Sequence, residues 1–165
     1  LEPARIVPAS PSGRPTTISA ETFFETLKAV SPSLPERLQA FLSQAEPLGV
    51  YGDVKRAMTL KWTNPEGQVF RLGHIDQDGR LATDHCHADA QAIGRIDLSH
   101  AYQARLAQLI PGASVRQTPN PRGWRVVVGE QNPPLAALLD RSADWLAAIA
   151  DYQAALMAAS ELAQA

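Results

Sequence analysis

An α+β fold is what this sequence predicts, with helices packed on an antiparallel sheet in the order ααβββαββα. Three observations carry that prediction. The hydrophobic period changes from helical to alternating near Val50 and returns to helical near Asp97. Like elements come in runs instead of strand-helix alternation, which favours antiparallel over parallel pairing. The composition, 45% hydrophobic and 19% charged over 165 residues, is that of one globular domain. The expected sheet has four to five strands: a three-stranded meander plus one or two later strands.

Residues 1–17 interleave Pro3, Pro8, Pro11 and Pro15 with Ser10, Ser12, Gly13, Thr16 and Thr17, a composition that buries little surface and stays extended. They read as a linker or disordered arm, leaving 18–165 as a single α+β domain with a long C-terminal helical region. Such an arm suggests the C-terminal module of a larger protein. The arm has neither a basic n-region nor an apolar h-region, and the single cysteine, Cys86, has no disulfide partner in the chain; both point to the cytoplasm. No apolar run reaches the roughly 18 residues of a membrane span.

Phe23, Phe24, Leu27 and Val30 share one helical face, with Ser19 as N-cap and Glu21 near the positive end of the helix dipole. A second start is read at Ser33-Leu34-Pro35-Glu36, which has capping-box spacing and a proline in the first turn; Leu38, Phe41, Leu42 and Ala45 follow on one stripe. Met58, Leu60 and Trp62 then alternate with Thr59, Lys61 and Thr63. Turns at Asn64 to Gly67 and Gln77 to Gly79 separate this strand from a second at Gln68 to Asp76 and a third at Arg80 to about Asp84. Ala88 to Gly94 reads as a loop. A helix from Asp97 or Ser99 carries Ala101, Tyr102, Leu106, Leu109 and Ile110 and stops at Pro111-Gly112. Val115 starts a short strand, Thr118 to Gly123 turns, and Trp124 to Val128 is β-branched and aromatic as a strand should be. From Asn132-Pro133-Pro134 onward, Leu135, Leu138, Trp145, Ile149, Tyr152, Leu156 and Ala159 form a helical seam. It is too broad for a coiled coil, so packing on its own domain is favoured over a homodimer contact.

The charge balance, 15 basic against 17 acidic residues, gives no bulk reason to bind nucleic acid. Locally, Lys61, Arg71 and Arg125 alternate outward opposite Trp62 and Trp124, near Arg116 and Arg122. These five form a candidate basic sheet face for phosphates or an acidic partner. The candidate metal set is His74 with His85 and His87, since alternate residues of an extended chain point the same way and His74 lies across the hairpin. One cysteine without a C-x-x-C partner fits zinc-finger spacing poorly, so no cofactor is assigned. Gly-rich phosphate loops and a Gly-x-Ser-x-Gly elbow are absent.

The run helix, three strands, helix, strand resembles the element order of the restriction-endonuclease-like nucleases. That resemblance implies an acidic residue on one strand and an acid-x-Lys pair on the next, holding a divalent metal. Here the third strand reads Arg80-Leu81-Ala82-Thr83-Asp84 with no lysine after the acid, and Lys61 follows Thr59 where the acid should stand. The resemblance ends at element order. The expected function is therefore a non-enzymatic binding or regulatory module in a larger bacterial-type cytoplasmic protein. Its first expected partner is a protein or a preceding domain of the same chain, and the second is nucleic acid. The alternative is a metal-dependent hydrolase or a degenerate nuclease of that class, with no catalytic residue assignable from the sequence.

Overall fold

The computed structural model describes residues 19–118 and 123–164, so the proline-rich arm, Arg122 and most of the Thr118 to Gly123 turn lie outside the described residues. The chain runs α1 (Ala20–Val30), α2 (Leu34–Ala45), a 3-10 turn (Glu46–Leu48), β1 (Val50–Val54), β2 (Met58–Thr63), β3 (Val69–Ile75), β4 (Leu81–Ala82), α3 (Cys86–Ala92), α4 (Ile96–Leu109), β5 (Ala113–Gln117), β6 (Trp124–Val128), α5 (Leu135–Leu139) and α6 (Ser142–Gln164). Helices and antiparallel strands are segregated as an α+β fold requires. Among the described residues the sheets are two: β1-β2-β3-β4 in sequence order, and a β5-β6 hairpin.

Ser19 caps α1 as its sequence suggests, extended in backbone and accepting the Thr22 N–H at 3.0 Å. Ser33 does not cap α2. Its backbone is already helical, at φ −90° and ψ −8°, which keeps its hydroxyl away from the free N–H groups a capping box would satisfy. Pro35 in the first turn, which has no N–H to leave unpaired, is the part of that signal that holds. The strand β1 before the meander was not expected, because its burial does not alternate cleanly: Val50 is buried, Tyr51 and Gly52 are exposed. Gly52 lies against Met58, where a Cβ would come within 2.7 Å of the Met58 sulfur.

The expected third strand from Arg80 to Asp84 shrinks to Leu81–Ala82. It follows a tight turn in which Gly79, at φ +82°, donates to the Asp76 carbonyl and Asp76 N–H donates to Arg80. Because β4 pairs only with His74 and Ile75, the edge of β3 is bare beyond it. Side chains complete that edge. Asp89 on α3 accepts the Arg71 N–H at 2.7 Å, and the Tyr102 hydroxyl on α4 donates to the Leu72 carbonyl at 2.9 Å. The gap between β4 and β6 is bridged in the same way: Thr83 Oγ1 accepts the Val126 N–H, and the Gln103 amide donates to the carbonyls of Thr83 and Trp124.

The core joins Phe23, Leu27, Leu38 and Phe41 of the first two helices to Leu60, Leu72 and Ile75 of the sheet and to Trp145, Ile149 and Leu156 of α6. Trp145 stacks on Phe41 with ring centroids 4.1 Å apart, fixing α6 against α2. The C-terminal seam is thus buried within its own domain. Trp62 is buried as expected, whereas Trp124 is only half-buried, edge-on to His100. Among the described residues, no helix is long and apolar enough to cross a membrane.

Candidate functional site

Three regions of the molecule bring chemistry-bearing side chains or open space together: the basic strands, the histidines, and a cleft between two helices. Lys61 and Arg71 face each other across β2 and β3 and share one side of the sheet, as expected. Each is neutralised. Lys61 donates to Asp53 at 2.6 Å, and this bond holds the Asp53 carboxyl below its ordinary value. Arg71 grips Asp89 through Nε and Nη2, which pushes the guanidinium still higher. Arg116 and Arg125 face each other on the other hairpin, so the expected continuous basic face is divided between two sheets. Sequence alternation fixes which way a side chain points within a strand, but not which strands pair.

The three expected metal ligands are not brought together. Residues 86–92 form α3 instead of an extended strand and loop, so successive side chains turn by about 100° and His85 and His87 part company. His85 lies 5.0 Å from His74, ring centroid to ring centroid, with Asp84 beside it at 3.3 Å. His74 bonds Thr59 Oγ1 at 3.0 Å and approaches Asp76 at 3.6 Å; burial lowers its pKa and raises that of Asp76. Among the described residues, no group of three or more His, Cys, Asp or Glu side chains converges as a metal site would need.

His87 instead sits in a buried polar network. The Gln103 amide nitrogen is committed to two carbonyls, so its oxygen faces His87 Nε2 at 2.9 Å as an acceptor, and Nε2 carries the ring proton. In the neutral ring, Nδ1 accepts from the Ser99 hydroxyl at 2.6 Å. Protonating Nδ1 would turn that hydroxyl toward the Ile96 carbonyl, 2.9 Å away. Burial disfavours the cation and lowers the His87 pKa. Ser99, His87 and Gln103 have the contacts of a nucleophile, base and orienter, but all are buried and no substrate reaches them. Cys86 is fully buried and its thiol is pushed up by burial, the opposite of an activated nucleophile.

The cleft lies between α4 and α6. Leu98, Ala101, Tyr102 and Arg105 form one wall, and Ala148, Asp151, Tyr152 and Ala155 the other, around about 130 Å³. Tyr102 and Tyr152 stack with centroids 4.8 Å apart, and Arg105 pairs with Asp151, both partly exposed. The room exists because alanines stand at 101, 148 and 155, where larger residues would close it. Tyr152 is otherwise buried, yet its hydroxyl has no hydrogen-bond partner. An alanine-rich stretch of helix in the sequence was the only available signal, and alanine equally marks close helix packing. Comparison with protein-family models, with curated proteins and with solved structures finds no match.

Proposed function

We propose that this domain is a non-enzymatic binding module, serving a larger cytoplasmic protein, and that it receives one large apolar side chain of a protein partner in the cleft between α4 and α6. The observation that carries the reading is the cleft itself: an apolar space of about 130 Å³ open at the surface between two helices. A cavity of this order accommodates one aromatic ring, and interface energy concentrates where such an anchor fills a pocket. The Arg105 and Asp151 pair at the cleft offers both a donor and an acceptor to the partner's backbone. The rival hydrolase reading draws little support from side chains that are buried, or paired with each other, where reactive groups would be needed.

The test is a photo-crosslinking amino acid placed at Ala155 in the cleft and, as control, at Glu36 on α2, in cells producing the whole chain. A discrete adduct from Ala155 that is absent at Glu36 and is lost in Ala101→Leu is the expected result. Equal labelling from both positions, or metal-stimulated hydrolysis that disappears in His85→Ala, would overturn the proposal.

A further inference from the structure

We propose that Arg80, Arg116 and Arg125 form an oxyanion site for a phosphate group, independent of the apolar cleft. Arg80 donates to the backbone carbonyl of Asn132 at 2.6 Å, and Arg125 donates to the side-chain oxygen of the same Asn132 at 3.3 Å, so one asparagine holds two guanidiniums together. Arg116 stands directly across the hairpin from Arg125 and projects on the same side, placing a third cation beside them. None of the three is in an ion pair among the described residues. The nearby acids are occupied otherwise: Asp78 accepts the Arg80 backbone N–H, and Glu130 offers Arg125 only its carbonyl.

The frame is rigid. Val128 and Gln131 exchange backbone hydrogen bonds, Leu81 N–H donates to the Pro133 carbonyl and Leu135 N–H to Gly79, which clamps the 131–135 segment between β6 and β4. A guanidinium has five N–H donors, and Arg80 and Arg125 use one and two of theirs on Asn132 and Glu130. The remaining planar forks match a tetrahedral oxyanion better than a lone carboxylate, because three forks can each take an oxygen. The phosphate can be free or part of a nucleic-acid backbone, and the chemistry at the site is the same.

The experiment titrates the isotope-labelled chain with sodium phosphate against a sodium chloride control of equal ionic strength, following the Nε–H signals of the arginines by NMR. The expected result is a saturable shift of the Arg80, Arg116 and Arg125 signals, with apparent affinity reduced about 3- to 10-fold in Arg116→Gln and in Arg125→Gln, the scale of one lost charge-assisted contact. Arg116 is exposed and makes none of the contacts that hold Asn132, so its variant carries the test if Arg125→Gln folds poorly. A fluorescent single-stranded DNA 12-mer distinguishes the sources. Displacement of phosphate from the same three signals, with a salt slope about one unit smaller in Arg116→Gln, assigns the nucleic-acid backbone. Phosphate binding without oligonucleotide binding assigns a free or small-molecule phosphate. Shifts no larger than those in chloride, or shifts undiminished in Arg116→Gln, would overturn the site.

Discussion

Lys61 faces Arg71 across β2 and β3, and Arg116 faces Arg125 across β5 and β6, yet the two cation pairs sit in opposite electrostatic settings. Like charges directly opposed on a sheet repel. In the meander the repulsion is removed from both ends, by Asp53 on the neighbouring strand and by Asp89 reaching over from α3. In the hairpin no carboxylate among the described residues takes that part; Arg125 instead donates to the neutral Asn132, which also accepts from Arg80, while Arg116 has no contact with that asparagine. The meander pair is spent on holding the fold. The hairpin pair is left with free donors, at some cost in stability, which is the arrangement a ligand site needs. Net charge, at −2 for the whole chain, reveals neither situation.

Asp89 is the carboxylate on which the meander pair depends most. Asp89→Ala removes the acceptor for the Arg71 N–H and for both guanidinium contacts, leaving the bare edge of β3 unsatisfied. With Asp89 mostly buried, the expected loss is about 2–3 kcal/mol, read from urea midpoints at unchanged m-value. A loss under about 0.5 kcal/mol, the scale of an exposed pair, would place this arginine with those of the hairpin.

Next in size is an acid-side loss of stability from the two histidines that burial keeps neutral, His87 and His74. The folded pKa values of His87 and His74 are depressed, so the unfolded chain binds more protons below its ordinary histidine pKa of 6.5. Stability is therefore full above about pH 6.5 and falls as the pH drops through the depressed folded values. His87→Asn should flatten part of that decline between pH 7 and pH 5. An unchanged slope would mean that the ring is not buried as a neutral group.

Smaller effects separate the cation pairs by sign. Lys61→Gln should cost about 0.2–1 kcal/mol, because it leaves Asp53 without its partner. Arg116→Gln should leave the melting temperature unchanged or raise it, by an amount equivalent to no more than about 0.5 kcal/mol, since it relieves a cross-strand repulsion. Millimolar phosphate should raise the melting temperature of the wild type and have little effect on Arg116→Gln. A melting temperature for Arg116→Gln clearly below the wild type would erase the distinction between the two hairpins.

Local signals in the sequence determined the α+β class, the caps and turns at Ser19, Pro35 and Gly79, the alternation of β2 and the seam of α6, because each depends on neighbours within a few residues. The helix over 86–92 was not legible, since seven residues of Cys, His, Ala, Asp and Gln lack a full amphipathic period, and reading them as extended grouped His87 with His74 and His85. Alternation likewise set Lys61 and Arg71 on one face but could not say that β5 and β6 would pair apart from the meander. Tertiary structure alone decided that Asp89 reaches Arg71 across 18 residues, that Asn132 lies between Arg80 and Arg125, and that alanines from α4 and α6 meet across a cleft. The physical reason is that hydrophobic patterning is a local code for which side turns inward, whereas charge pairing and cavities depend on distances between segments that only the packed chain brings together.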